Sequence, residues 1–291
     1  MHGGPNPRPA VLIDVPADLP RQVAAALTED VGSGDLTAAL IPDGRGGRAT
    51  VITREPTIVC GIPYVEETFR QLGGAVLSWA VAEGASAAAD QPLFRVSGGA
   101  RTLLTAERTA LNFLQLLSGT ANAAHGYAVL LEGTACRLLD TRKTLPGLRT
   151  AQKYAVRVGG GHNHRMGLYD GILIKENHIM AAGSIGAAVA AAKRNAGIPV
   201  EVEVESLAQL REAIDAGADI ALLDNFSLPG MRQGVAMNAA AKKPLKIEAS
   251  GGIAMESIRA IAQTGVDFIS VGGITKHVRA VDLSMRFEWA D

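Results

Sequence analysis

After residue 133 the chain alternates short apolar runs with longer amphipathic segments. Six apolar runs each end in a polar residue or a glycine, and they span residues 138–140, 172–175, 200–203, 221–224, 247–250 and 269–272. Helical periodicity fills several of the intervals between them, over residues 184–196, 206–216 and 255–264. This repeat predicts parallel strands joined by helical crossovers. Six units fall short of the eight of a TIM barrel, so the pattern predicts an incomplete (open) βα barrel or an open α/β sheet. In either case the polar strand ends gather on one rim, where ligands bind.

The chain before residue 100 has a less regular pattern. It predicts helices over residues 19–31 and 62–72, and strands over residues 48–54, 57–60, 75–82 and 93–96. This mixture indicates a small α+β, sandwich-like domain. A long helical pattern follows over residues 105–117 and 122–131, with a break expected at Ser118-Gly119-Thr120. We therefore expect an N-terminal domain over residues 1–118 and a catalytic βα domain over residues 119–276. Residues 277–291 lack a βα pattern, and we expect them to pack back on the first domain.

Composition and charge narrow the class of protein. The chain has 291 residues, of which 47% are hydrophobic, and its 28 basic and 29 acidic residues give a net charge of −1. This balance gives no reason to expect nucleic acid or a membrane as a partner. Cys60 and Cys136 form no metal-type spacing, and residues 1–9 lack the apolar core of a signal peptide. We expect a cytoplasmic protein with reduced thiols.

Positive charge is concentrated between Arg137 and Lys175. This segment has eight Lys or Arg residues against two acidic ones, and it also contains His162 and His164. A charge run alone usually indicates a solvated loop. Here, however, Arg142 and Lys143 follow one predicted strand and Lys175 closes the next, which places them on the functional rim. Because clustered cations repel unless a multiply charged anion lies among them, the pattern predicts a dicarboxylate ligand, a phosphate ligand or both.

Acidic and glycine residues end the later predicted strands. Glu201, Glu203 and Glu205 alternate with valines and share one face of a strand. Glu203 and Asp224 lie near the rim and could hold Mg²⁺, whereas Glu201 could be structural and pair with a cation such as Lys246 or Lys175.

Two strands end in Ser250-Gly251-Gly252 and Val271-Gly272-Gly273. Glycine turns at late βα-barrel strands commonly cradle phosphate through backbone N–H groups, although one such turn alone would be ordinary turn chemistry. Two consecutive turns of this kind favour a phosphate site.

Taken in order, these motifs resemble the quinolinate phosphoribosyltransferase family, also called carboxylating nicotinate-nucleotide pyrophosphorylases. The matching segments are Glu29-Asp30-Val31-Gly32-Ser33-Gly34-Asp35-Leu36-Thr37, Glu107-Arg108-Thr109-Ala110-Leu111-Asn112, Asp140-Thr141-Arg142-Lys143-Thr144, His162-Asn163-His164-Arg165, Lys175-Glu176-Asn177-His178, Glu201-Val202-Glu203-Val204-Glu205, Leu223-Asp224-Asn225 and Ser250-Gly251-Gly252. The ordered set is far more specific than any single motif.

The resemblance implies an N-terminal α/β domain, an open barrel of βα units, and a homodimer whose active sites are shared between subunits. It implies the transfer of phosphoribosyl from phosphoribosyl pyrophosphate to quinolinate, with decarboxylation and with Mg²⁺ as cofactor. Carried over to this chain, Arg108 would reach into the partner's site. The carboxylates of quinolinate would lie among Arg142, Lys143, His164, Arg165 and Lys175. Glu203 and Asp224 would hold Mg²⁺, directly or through water, while Ser250, Gly251, Gly252, Gly272 and Gly273 would bind the 5′-phosphate. Lys143, Lys175, Glu203 and Asp224 are the candidate catalytic residues.

Three other functions fit parts of the pattern. A sister enzyme of the same fold, such as the pyrophosphorylase-like protein of molybdate operons, could act on another substrate. A Schiff-base aldolase could use Lys175, and it would need a lysine with a depressed pKa. A non-catalytic anion-binding protein would leave Glu203 and Asp224 unexplained.

Overall fold

The structure, a computed structural model, describes residues 13–194 and 197–289. The glycine- and proline-rich segment 1–9 lies outside these residues. The chain forms two compact units. The first contains residues 1–125, 145–160 and 277–291, and the second contains residues 126–144 and 161–276. The expected division placed residues 1–118 and 277–291 in one domain and residues 119–276 in the other. Here residues 119–125 and 145–160 also group with the first unit.

The described residues form ten α-helices and twelve strands, with a 3₁₀ turn at Ala38–Leu40. The helices are α1 (Leu19–Val31), α2 (Ile62–Gln71), α3 (Ala100–Leu130), α4 (Arg149–Val158), α5 (Glu176–Ala182), α6 (Ile185–Ala192), α7 (Leu207–Asp215), α8 (Leu228–Ala239), α9 (Met255–Ala262) and α10 (Gly273–Lys276). The strands are β1 (Gly46–Thr53), β2 (Thr57–Ile58), β3 (Val76–Trp79), β4 (Ser86–Ala87), β5 (Pro92–Gly99), β6 (Arg137–Leu139), β7 (Ile172–Ile174), β8 (Val200–Val204), β9 (Ile220–Asp224), β10 (Lys246–Ser250), β11 (Phe268–Ser270) and β12 (Leu283–Trp289).

The first unit is built on an antiparallel sheet with strand order β12-β1-β5-β3. Alternate residues of β1 and β5, such as Val51, Phe94 and Val96, are buried against Leu103 and other apolar residues of α3. Burial of this apolar face is the main favourable contribution to the stability of the sheet. The segment after residue 277 joins the same sheet, because β12 pairs with β1 along its whole length.

Helix α3 is continuous, so the break expected at Ser118-Gly119-Thr120 was wrong. Small residues lie there because other backbone segments approach closely. The amide of Cys60 donates a hydrogen bond of 3.0 Å to Ser118 Oγ. A Cβ atom on Gly119 would overlap the carbonyl oxygen of Arg279. The three residues therefore allow close packing of a buried helix and do not terminate it.

The second unit is a six-stranded parallel sheet with strand order β6-β11-β10-β9-β8-β7. All six strands predicted in this region are confirmed. In the part of the chain that the structure describes, β6 and β7 form the two edges and do not pair with each other, so the unit is an open βα barrel. Because all strands run in one direction, the residues that follow β6 to β11 share one rim.

Serine caps fix where several helices of this unit begin. The hydroxyl oxygens of Ser184, Ser206 and Ser227 accept hydrogen bonds from the amides of Ala187, Gln209 and Gly230. Each bond satisfies one of the backbone donors that the first turn of a helix leaves without an intrahelical partner. These caps set short connections between the strand ends and the helices, and so help to position the rim residues.

None of the helices in the described residues is both long enough and apolar enough to cross a membrane.

The packing of α3 generates a first prediction. Gly119→Ala should lower the free energy of unfolding by about 2 kcal/mol, because the added methyl group meets a backbone carbonyl that cannot rotate away. Gly126→Ala in the same helix is the matched control, since its Cβ would meet only the flexible end of Met255. That change should leave stability unchanged or raise it by about 0.5–1 kcal/mol. Urea unfolding of both variants would check this, and equal effects would contradict the close-packing explanation.

Candidate active site

Lys175 and Glu203 meet at the carboxyl ends of neighbouring strands. Leu173 of β7 pairs with Glu201 of β8, so Lys175 and Glu203, two residues further on, point to the same face of the sheet. The Lys175 ammonium forms an ion pair with Glu203 Oε2. The Lys175 side chain remains 47% exposed, so this cation is held in place while it stays accessible to a ligand.

Asp224 ends β9 on that same face. Glu203 pairs with Leu222 in the β8–β9 register, and Asp224 lies two residues beyond Leu222. Its Oδ2 atom accepts a hydrogen bond of 3.0 Å from Asn225 Nδ2. The two carboxylates predicted to hold Mg²⁺ therefore lie on adjacent strands and face the same side of the sheet.

The glycine turn after β10 adjoins Asp224. Ser250 is the register partner of Asp224, and the amide of Asn225 donates a hydrogen bond of 3.0 Å to the Ser250 carbonyl. Gly251 has a φ of +96°, and a Cβ atom there would overlap the side chain of Asn225. Gly252 has a φ of +56°. Both the backbone conformation and the close approach therefore require glycine at Gly251.

Lys143 lies over the second glycine turn. A Cβ atom on Gly272 would come within 2.7 Å of Lys143 Cδ and 3.5 Å of Lys143 Nζ. The hydroxyl of the buried Thr275 donates a hydrogen bond of 2.8 Å to the Lys143 carbonyl oxygen. The resemblance grouped Lys143 with the carboxylate-binding residues, whereas this geometry puts its ammonium group beside Gly272, where the phosphate was expected. Gly273 begins the four-residue helix α10.

Arg142 and Arg165 bring two guanidinium groups close together. Burial, and then the neighbouring charge of Arg142, lower the pKa of the Arg165 guanidinium from its ordinary value. Arg165 Nη1 donates a hydrogen bond of 3.0 Å to the Gly171 carbonyl. Arg142 Nε is buried and has no hydrogen-bond partner among the described residues. Two cations that repel each other and a buried donor of this kind indicate a site for an anion.

His164 is held by both of its ring nitrogens. Nδ1 accepts a hydrogen bond of 2.7 Å from the amide of Arg165, and Nε2 lies 2.9 Å from Glu201 Oε2 and 3.6 Å from Glu248 Oε2. Because Nδ1 is an acceptor, the proton of a neutral imidazole lies on Nε2. In this structure the ring therefore faces two buried carboxyl groups. The structural role expected for Glu201 has a different partner from those suggested, since Lys246 pairs with Asp267 at 2.6 Å and Lys175 with Glu203.

Glu248 lies in a strongly perturbed environment. Burial raises the pKa of this carboxyl group well above its usual range, and the nearby charge of Glu201 raises it further. Its side chain is 1% exposed. The ligand atoms of His164, Glu201 and Glu248 all lie within 4.8 Å of one another.

Family models of the N-terminal and C-terminal domains of quinolinate phosphoribosyl transferase match residues 35–118 and 120–286. The chain belongs to the quinolinate phosphoribosyl transferase family. It is 42% identical over 260 residues to a probable carboxylating nicotinate-nucleotide pyrophosphorylase of Bacillus subtilis, covering 88% of this chain and 89% of the relative. It is 41% identical over 270 residues to the carboxylating nicotinate-nucleotide pyrophosphorylase of Mycobacterium leprae, covering 90% and 95%. The solved nicotinate-nucleotide pyrophosphorylase of Francisella tularensis has a TM-score of 0.89 and 46% identity, covering 97% of this chain and all of that one.

Arg108 lies in the segment that matches the N-terminal quinolinate phosphoribosyl transferase domain. It is exposed on α3, in the first unit. The adjacent Glu107 carboxyl has a pKa raised by burial, and the charge of Arg108 opposes that rise. The other predicted site residues belong to the second unit, so Arg108 is not part of the unit that carries the cluster.

Sequence reasoning missed three residues that shape this quinolinate phosphoribosyl transferase site. Asp140 is fully buried and accepts hydrogen bonds from Asn163 Nδ2 at 2.6 Å and the amide of His164 at 2.9 Å. Glu248 was considered only as part of a strand, and Asn225 only as a neighbour of Asp224. A carboxylate inside an otherwise apolar strand was the available signal for Glu248.

The raised pKa of Glu248 generates a second prediction. A carboxyl group whose folded-state pKa lies above its unfolded value binds more protons in the folded state. Its contribution to stability is therefore present at low pH and is lost as pH rises from about 4.5 through the raised pKa. Glu248→Gln should flatten the fall in stability across this window, by no more than about 1.4 kcal/mol per pH unit.

Thermal unfolding across the pH range would measure the effect. Glu212→Gln on α7, which changes an exposed carboxylate, is the control and should retain the wild-type slope. Identical pH profiles for wild type and Glu248→Gln would show that Glu248 is not protonated in the folded protein.

Proposed function

We propose that this member of the family transfers the phosphoribosyl group of phosphoribosyl pyrophosphate to quinolinate in the cytoplasm. The products would be nicotinate mononucleotide, pyrophosphate and CO₂, a step of de novo NAD biosynthesis. The proposal depends on one observation about the rim. One half of the rim is cationic and contains Arg142 and Arg165. The other half is formed by the carboxylates Glu203 and Asp224 and by the two glycine turns. Such a rim suits one substrate with two carboxylates and another with phosphates.

The cationic half supports the binding of quinolinate. The unpaired Arg142 Nε and the mutual repulsion of Arg142 and Arg165 both favour a dianion between them. Arg165 keeps its direction through the hydrogen bond to Gly171. Lys175 adds an accessible ammonium group. Orientation of the ring by its two carboxylates would bring the pyridine nitrogen towards the ribosyl donor, and such positioning can supply much of the rate enhancement.

The other half supports the binding of phosphoribosyl pyrophosphate. The Ser250-Gly251-Gly252 turn is open at Gly252, where nothing lies within 4 Å of the position of a Cβ atom. Lys143 lies along Gly272 with its ammonium group at the second turn. Backbone N–H groups and a lysine at glycine turns are a common arrangement for phosphate oxygens.

Glu203 and Asp224 are the residues that would hold Mg²⁺. The ion prefers one or two carboxylates, with water and substrate phosphates completing its coordination. These two residues fit the ligands that Mg²⁺ prefers, because both carboxylates face one side of adjacent strands at the rim. When bound with the donor, the ion would offset negative charge on the pyrophosphate.

The reaction needs no covalent enzyme intermediate. The pyridine nitrogen forms a bond to C1 of the ribose while the bond from C1 to the pyrophosphate oxygen breaks. Lys143 would offset the charge that develops on the leaving pyrophosphate. The bond between C2 and its carboxylate then breaks, CO₂ leaves, and its electron pair remains on C2 beside the positive ring nitrogen until C2 takes up a proton. Lys175, Glu203 and Asp224 would complete the catalytic set by holding the two substrates.

The ion pair at Lys175 weakens the Schiff-base alternative. An aldolase lysine needs a free amino group that can reach a carbonyl carbon, whereas the Lys175 side chain is engaged by the Glu203 carboxylate. Borohydride trapping with a carbonyl substrate should therefore leave the protein unlabelled.

The proposed active enzyme is a homodimer in which Arg108 of each subunit completes the site of the other. Support for this comes from the exposure of Arg108 on α3 and from its membership of the unit that does not carry the other cations. An exposed arginine can bind a carboxylate of a ligand in a bidentate manner.

The central prediction concerns turnover. Mixing the protein with quinolinate, phosphoribosyl pyrophosphate and Mg²⁺ should release pyrophosphate and CO₂ in equal amounts, and chelation of the metal should stop the reaction. Lys175→Ala should lower kcat/KM by at least about 100-fold, because it removes a cation aimed at the substrates. Release of CO₂ from carboxyl-labelled quinolinate would be measured together with pyrophosphate.

Lys246→Ala is the matched control for that experiment. Lys246 begins β10 and is paired with Asp267, at the opposite end of the strands from the rim, so its loss should change kcat/KM by less than about twofold. Turnover with nicotinate and none with quinolinate would refute the decarboxylating assignment.

A separate prediction tests the shared site. Arg108→Ala and Lys175→Ala should each be inactive alone and should regain activity when mixed under conditions that allow subunit exchange. A mixed dimer would contain one intact site out of two, so about a quarter of wild-type activity is expected at full exchange. Each variant mixed with itself is the control. No recovery after exchange has been confirmed by mass spectrometry would rule out a shared site.

A further inference from the structure

Asn225 has an unusual backbone conformation beside the proposed donor site. Its φ is +55°, and Asp90 is the other non-glycine residue with a positive φ among the described residues. The left-handed conformation is unfavourable for residues with a side chain, although asparagine adopts it more readily than most. Such conformations persist where the surrounding contacts favour them, and they often mark functional sites.

The side chain and backbone of Asn225 connect two parts of the rim. Its Nδ2 donates to Asp224 Oδ2 at 3.0 Å, and its backbone amide donates to the Ser250 carbonyl at 3.0 Å. Its Oδ1 and Cγ atoms occupy the space that a Cβ of Gly251 would need. Asn225 therefore lies between a proposed metal-binding carboxylate and a proposed phosphate-binding turn.

We propose that Asn225 is a positioning residue for the ribosyl donor. Asn225 holds the Asp224 carboxylate and the Gly251 turn in a fixed mutual arrangement. The inference rests on the proposed function, because it assigns the donor and its metal to this part of the rim. Asp224 is the last residue of its strand, and a hydrogen bond from the next side chain restricts its rotation. Contact with Gly251 then sets the distance between the carboxylate and the turn.

The proposed role requires the hydrogen-bonding and charge properties of the Asn225 side-chain amide as well as its shape. Glycine would adopt the same backbone conformation with less strain, so the turn itself does not need the amide. An aspartate would have a similar shape but would place a second negative charge against Asp224 and could not donate the hydrogen bond. An amide is the group that both donates to a carboxylate and leaves its charge available to a metal ion.

The test compares Asn225→Gly, Asn225→Ala and Asn225→Asp with Asp90→Gly as a matched control. Asn225→Gly removes the amide and keeps the backbone conformation. Asp90→Gly makes the same backbone change in the first unit, at a residue with no proposed role in the site. For each variant, steady-state assays would give kcat and the KM values of both substrates. Titration calorimetry with Mg²⁺ and inorganic pyrophosphate would measure binding without turnover, and thermal unfolding would measure stability.

The expected result is a selective loss of donor binding. Asn225→Gly should raise the KM of phosphoribosyl pyrophosphate and the dissociation constant of Mg²⁺-pyrophosphate by about fivefold to tenfold, the scale of one lost hydrogen bond to a charged group. The KM of quinolinate and the unfolding temperature should change little. Asn225→Ala should show the same binding loss with lower stability, and Asn225→Asp should shift the Mg²⁺ requirement to higher concentration. Asp90→Gly should behave as wild type.

Two results would overturn the inference. One is wild-type binding of Mg²⁺-pyrophosphate by Asn225→Gly. The other is an equal rise in both KM values together with a lower unfolding temperature, as a purely structural residue would produce. Failure of the proposed function would be distinguishable from failure of this inference. In that case the wild-type protein itself would bind Mg²⁺-pyrophosphate and would not turn over quinolinate.

Discussion

Positive side chains held close together repel one another, and the second unit concentrates this repulsion at the carboxyl ends of its strands. Burial, and then the nearby charge of Arg142, lower the pKa of the Arg165 guanidinium. The parallel sheet brings these side chains together, because every strand of the unit ends at the same rim. Folding must therefore keep cations together in the absence of their ligand. An anionic substrate gains from that arrangement, since its binding relieves repulsion that the fold has already overcome.

In both units, glycine and other small residues let a neighbouring backbone or side chain approach the main chain closely. Gly119 leaves room for the carbonyl of Arg279, Gly251 for the side chain of Asn225, and Gly272 for the side chain of Lys143. The physical constraint is the same each time, because a Cβ atom would occupy space that a neighbouring group already fills. In the helix this allows dense packing, whereas at the rim it lets a polar side chain lie against the backbone. The same residue type therefore indicates a break, a packing contact or a binding turn, and local pattern does not distinguish them.

This ambiguity explains which parts of the fold could be predicted from the sequence. Helix α1 and the six parallel strands were predicted because their periodicity is local and is reinforced by clear boundaries. The break in α3 was wrong, since the reason for Gly119 is a contact with residue 279, far along the chain. Strand β12 was not predicted, although residues 283–289 do alternate between apolar and polar types. The assignment of residues 145–160 to the first unit depends on long-range contacts that no local pattern records.

In the candidate site too, the sequence predicted which residues are present but did not predict the contacts of their individual atoms. The sequence and its family resemblance identified the ionisable residues at the rim, and the register of β8 and β9 brings Glu203 and Asp224 to one face as expected. The direction of each side chain was not predictable. His164 turns both ring nitrogens to Arg165 and the buried carboxyl groups, and Lys143 lies at a glycine turn.

The ion pair of Lys175 with Glu203 is governed by the same electrostatics as the cationic cluster. Without a ligand, each charge is stabilised by the other at a partly exposed position, where such pairs contribute little to stability. In the proposed function, a dicarboxylate would offer Lys175 a second partner, and a metal ion would offer one to Glu203. Because the pair itself is weak, exchanging it for these partners costs little. The ion pair thus keeps both side chains ordered before binding. Binding of the dicarboxylate to Lys175 would release Glu203 for the metal ion, and binding of the metal ion to Glu203 would release Lys175 for the dicarboxylate.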